Sequence, residues 1–127
     1  MAREFLNKGA MIMPKESAIF LPVKAQKLVA KVTQSGVDAP AFGAQSENTL
    51  SATPAWARTS AGIYTLTLVG AFTAGKTFAQ IISSNAAARI FEVIYTSADV
   101  VTINCFDAAT PSAADSGDFD IEIAVFS

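Results

Sequence analysis

Asp118-Phe119-Asp120-Ile121-Glu122-Ile123-Ala124-Val125-Phe126 alternates without a break. Successive side chains of an extended chain point to opposite faces. Phe119, Ile121, Ile123 and Val125 therefore share one face, and Asp118, Asp120 and Glu122 share the other. One face on a core and one in water is the half-buried pattern of an antiparallel sheet. Upstream, the same period of two recurs in short segments separated by turn residues. Val100 to Phe106 follows a Ser97-Ala98-Asp99 turn. Arg89 to Tyr95 and Thr77 to Ile82 are separated by Ser83-Ser84-Asn85. Ile63 to Val69 lies between Gly62 and Gly70, with Tyr64, Leu66 and Leu68 on one face. Gln26 to Thr33 puts Leu28, Ala30 and Val32 together ahead of a Gln34-Ser35-Gly36 turn.

Five or six short strands at close spacing, with no long helical pattern between them, predict an all-β fold. The architecture expected is an antiparallel β-sandwich of jelly-roll type with an N-terminal extension. Residues 34–55 carry few large apolar groups and read as a loop, whether a simple connector or an interaction segment. Residues 107–117 read as a second loop. A Thr-Ser-Ala phrase launches a strand twice, at residues 59–61 and 96–98. Shared turn chemistry accounts for this as well as an internal repeat does.

Residues 1–25 differ from the rest. Met11-Ile12-Met13-Pro14 and Ile19-Phe20-Leu21-Pro22 are short apolar runs stopped by proline. Proline donates no backbone hydrogen bond, so both runs suit edge strands or an extended arm. A short helix over residues 2–8 is weakly indicated. The chain thus divides into an arm, residues 1–25, and a β-domain, residues 26–127. In that N-terminal stretch Arg3 and Glu4 come early, and Asn7-Lys8-Gly9 interrupts any apolar segment, which is not the form of a signal peptide. No run reaches the ~18 apolar residues of a membrane helix. Neither export nor a membrane partner is expected.

The 127 residues are 51% apolar and only 16% charged. A domain this small cannot bury all its apolar surface, and large exposed patches usually mark interfaces. Other copies of the chain are expected to cover part of it; a monomer with many surface alanines is the alternative. The net charge is −2, and the isoelectric point near 4.9 argues against nucleic acid, which demands clustered cations. Lys24, Lys27 and Lys31 are the basic cluster. On a strand Lys27 and Lys31 share a face, which reads as solvated.

Little in the chain promises chemistry. Histidine is absent, removing the commonest general base and metal ligand. Cys105 is the one cysteine; it lies in an apolar run with no activating base and reads as a small buried hydrophobe. Asp118, Asp120 and Glu122 stand roughly 6–7 Å apart along a strand, too far to converge on a cation unaided. Gly70-Ala71-Phe72-Thr73-Ala74-Gly75-Lys76-Thr77 matches the letters of a phosphate loop. It lacks the preceding parallel strand and following helix of that device, so a hairpin loop is expected there. Trp56 and Tyr64 read as core. No catalytic, cofactor-binding or metal residue is expected, and no cofactor.

Residues 55–127 resemble a domain of tailed-bacteriophage structural proteins. The residues that carry the likeness are Trp56 to Leu68, Gly70-Ala71-Phe72, Thr96 to Ile103, and Asp120 to Val125. These are strand-and-turn patterns and bring no catalytic residue with them. The resemblance implies a β-sandwich on capsid decorations, head fibres or tail fibres, often trimeric. The function expected is therefore that of a non-enzymatic virion structural protein, a capsid-surface decoration or fibre component. It would assemble as a homotrimer and bind other virion proteins, the major capsid protein first among them. The alternative is a carbohydrate-binding receptor module of a tail fibre.

Overall fold

The computed structural model describes residues 25–84 and 87–127. They contain eight strands and no helix: β1 (Ala25–Thr33), β2 (Ala41–Asn48), β3 (Ala55–Ser60), β4 (Ile63–Thr67), β5 (Thr77–Ser83), β6 (Arg89–Tyr95), β7 (Val100–Asp107) and β8 (Phe119–Phe126). Two four-stranded sheets face each other, ordered β2-β1-β8-β5 and β3-β4-β7-β6. Every pairing is antiparallel. Of the proposed arm only Ala25 is described, where it opens β1; Lys24 and the apolar runs before it lie outside the described residues.

The core comes from the middle of each sheet. β1 contributes Leu28, Ala30 and Val32, and β8 contributes Phe119, Ile121, Ile123 and Val125. Against them stand Tyr64 and Leu66 of β4 and Val101, Ile103 and Cys105 of β7. These are the alternate residues read off the sequence, with Leu50 and Phe72 added from loops. β1 and β8, from opposite ends of the β-domain, pair over eight consecutive positions from Ala25↔Phe126 to Val32↔Phe119. Such a pairing closes the fold around its longest sequence separation.

Two strands went unread. β2 occupies part of residues 34–55, where a loop was expected, and β3 opens at Ala55. β2 has the sequence Ala41-Phe42-Gly43-Ala44-Gln45-Ser46-Glu47-Asn48, and only Phe42 packs on the core. Its place is set by backbone pairing with β1, interrupted by two register shifts, not by a hydrophobic face of its own. The strand count is thus eight, not five or six. The two Thr-Ser-Ala phrases fall at the β3–β4 and β6–β7 hairpins, both in the same sheet.

Candidate functional site

Residues 70–77 link β4 in one sheet to β5 in the other. The segment is an inter-sheet crossing, which corrects the expected hairpin. Its donors are engaged inside the chain: Gly70 N–H donates to Asp99, Phe72 N–H to the Ala98 carbonyl, and Lys76 N–H to the Thr73 carbonyl. Lys76 Nζ donates to the Ser127 carbonyl at 3.1 Å. No helix follows, so the amides do not converge as a phosphate cradle does.

The three carboxylates of the last strand also part company. Asp118 precedes β8 and accepts the Gln34 N–H at 3.0 Å, fixing the end of β1. Asp120 pairs with Lys31 at 3.2 Å on an open surface. Glu122 stands on the outer face. Among the described residues no group of three metal-ligating side chains comes together. Cys105 is buried, and burial pushes its thiol up to about 11. A thiol held protonated is a poor nucleophile.

A polar knot that the sequence did not announce closes one end of the sandwich. Asp115, in the β7–β8 connection, accepts from Arg58 Nε at 2.9 Å and Arg58 Nη2 at 2.8 Å. It also accepts the Gly62 N–H at 3.0 Å and the Tyr64 hydroxyl at 2.9 Å. The Tyr64 oxygen in turn accepts the Ser116 N–H. Arg58 and these donors hold the Asp115 carboxyl down at about 2. Burial pushes the Tyr64 phenol up. Every partner is spent inside the chain, so the knot anchors a loop and offers no reactive group.

The remaining feature is a difference between the two sides of the sandwich. On one side side chains bridge the edge strands β2 and β3, Phe42 and Trp56 meeting with ring centroids 5.6 Å apart. Trp56 also meets Phe119 edge-on at 5.8 Å. β2 is further blunted by its register shifts, Gly43 and Glu47. Such irregular, polar edges discourage strand addition.

On the other side the strands of the two sheets come closest, β5 lying against β6. β5 and β6 are its edges, and both run straight, with no register shift against β8 and β7. Between them a groove of about 260 Å³ is lined by Thr77, Phe78, Ala79, Val93, Tyr95 and Val101. The inward residues Ala79, Ile81, Phe91 and Val93 are only half-buried. Outward from the same two strands stand Phe78 (58% exposed), Ile82 (65%), Ile90 (51%) and Ile94 (40%), while Tyr95 (39%), on the same face of β6 as Phe91 and Val93, lines the groove. Of the seven large apolar side chains that are exposed among the described residues, these are five. The sequence did carry a signal for this. Both strands are apolar at both parities, Phe78 and Ile82 against Ala79 and Ile81, and Ile90 and Ile94 against Phe91 and Val93.

No family model, curated protein or solved structure matches the chain.

Proposed function

We propose that this chain is a non-enzymatic structural protein of a tailed-bacteriophage virion, a capsid-surface decoration or fibre component. It works by self-association and by binding other virion proteins, the major capsid protein first among them. The observation that carries this is the set of exposed apolar side chains along β5 and β6. It suits a protein whose task is to be covered by another. The resemblance of residues 55–127 to phage structural domains supplies the setting. On the same proposal the sandwich is a jelly-roll variant. The pairing of first and last strands and the repeated crossings between sheets support that, while the β1–β2, β3–β4 and β6–β7 hairpins depart from the ideal order. Antibody raised against the purified chain should decorate tailed particles from a lysate of the encoding bacterium, seen by immunogold microscopy. Finding the chain only in the particle-free fraction would overturn the proposal.

A specific observation favours the carbohydrate-binding reading as a second choice. On the outer face of the β2-β1-β8-β5 sheet, Phe78 and Phe126 meet edge to face with centroids 5.6 Å apart. Lys27, Gln80 and Glu122 border the same shallow hollow. An aromatic platform with a few convergent polar groups is how small polar ligands are held. Phe126→Ala should abolish binding on a glycan array if this face reads sugars. It should leave particle labelling intact if it does not.

A further inference from the structure

β1 is an interior strand, flanked by β2 and β8. A proline cannot continue such a strand, because it donates no ladder hydrogen bond. Pro22 stands three residues before Ala25, so the chain that enters β1 arrives from outside the sheet. Where it arrives there is a hollow of about 560 Å³, with Ala25 itself, Val125, Phe126, Ala71, Thr73 and Glu47 in its wall. Val69, next to the inter-sheet crossing that forms one side, is 79% exposed. We infer that this hollow is the seat of the chain's own run Ile19-Phe20-Leu21-Pro22-Val23, which closes that end of the sandwich.

Reach selects this occupant. An extended chain spans at most about 3.6 Å per residue, so Leu21 stays within roughly 14 Å of Ala25 and Ile19 within roughly 22 Å. The nine residues of β1 are about 30 Å long at ~3.3 Å each. The run is therefore held at the Ala25 end of the sandwich. Neither the Phe78–Phe126 hollow nor the β5–β6 groove has Ala25 in its wall, and this hollow does.

Composition and charge fit as well. Ala18 to Val23 has no polar side chain. In water such a run is an apolar patch of the kind that seeks cover, and Ala71, Val125 and Phe126 offer it apolar wall. Glu47 lines the hollow and makes no ion pair among the described residues. Lys24 is the residue between the run and Ala25, so seating the run brings a cation towards that carboxylate. The inference moves the domain boundary: Ile19 to Val23 belong to the folded unit, and only the sequence before them is left as an arm.

Limited proteolysis of the full-length chain tests it. Chymotrypsin cuts after large apolar residues such as Phe5 and Phe20. A seated run is cut only while it is unseated, so cleavage after Phe20 should be at least about tenfold slower than after Phe5. Thr73→Arg puts a long charged side chain into the hollow from an exposed position and should bring the two rates together. Gln80→Arg, beside Phe78 and Phe126, and Tyr95→Arg, in the β5–β6 groove, should leave the protection intact. Glu47→Lys should speed cleavage after Phe20 about threefold, the worth of an exposed ion pair, and adding Lys24→Glu should reverse it. That charge exchange decides the matter if Thr73→Arg fails to fold, as circular dichroism would show. Phe20→Asp should also lower the Tm of the full chain, and Phe5→Asp should not. Equal cleavage at Phe5 and Phe20 in the wild type would overturn the inference, as would a Tm indifferent to Phe20→Asp. Protection lost in Gln80→Arg or Tyr95→Arg but kept in Thr73→Arg would seat the run elsewhere. Protection that vanishes on about 100-fold dilution would seat it on another copy. The inference does not rest on the virion role, which particle labelling tests separately.

Discussion

Asp115 shows how one side chain can hold a loop. Its carboxylate gathers four donors from Arg58, Gly62 and Tyr64, tying the β7–β8 connection to the β3–β4 hairpin. The group's value, about 2 against an ordinary 3.8, means that the folded chain favours the charged form. A depressed carboxyl stabilises the fold above its unfolded value, and the contribution fades as pH falls through the folded value. Asp115→Asn should therefore cost about 2 kcal/mol at pH 7, and the gap from wild type should close between about pH 4 and pH 2. Urea unfolding across that range checks it; a gap independent of pH would assign the effect to shape rather than charge. Gly62 sits in the same knot with φ +70°. A Cβ there would lie 2.5 Å from the Cys105 carbonyl oxygen and 2.6 Å from that of Ala114. Both are backbone atoms that cannot swing aside, so Gly62→Ala should cost more than the ~1 kcal/mol of its left-handed conformation alone.

At the scale of the strand, β8 makes the sharpest contrast. Ile123 is fully buried between the sheets, while its neighbour Glu122 faces outward. Ile123→Ala should lose about 2–5 kcal/mol through lost burial and the cavity left behind. Glu122→Ala should stay within about 0.5 kcal/mol. Equal losses in denaturant unfolding would mean that the face assignment is wrong. This alternation is why β1, β4, β7 and β8 were legible: a strand with one face on the core writes that fact every second residue. β2 was not legible because its backbone is held by β1 while its side chains bury little. The Asp115 knot was not legible because its members are 51 to 57 positions apart and no local pattern joins them. β5 and β6 were legible as strands but not as edges, since apolar residues on both faces are the composition of an interior strand.

At the scale of the molecule, the described residues form two sheets whose core is drawn chiefly from β1, β8, β4 and β7, with apolar side chains left exposed along β5 and β6. If other copies cover those side chains, as the proposed self-association requires, folding and assembly are coupled, and stability must depend on protein concentration. For a folded trimer in equilibrium with unfolded chains, each tenfold rise in concentration adds about 0.9 kcal/mol per chain by mass action. In a domain of about a hundred residues this corresponds to a rise of roughly 3–6 °C in Tm. The wild type should show that slope in calorimetric scans from about 1 to 100 µM by mass action, whereas Ile82→Lys should show none. The sign of the variant's own shift adds a second check. Ile82 is 65% exposed, so within one chain Lys at this position removes little burial and should leave the low-concentration Tm near that of the dissociated wild type. A flat wild-type curve would mean that other copies do not cover these side chains in solution. A sloped curve for both proteins would place the association on a surface that does not depend on Ile82.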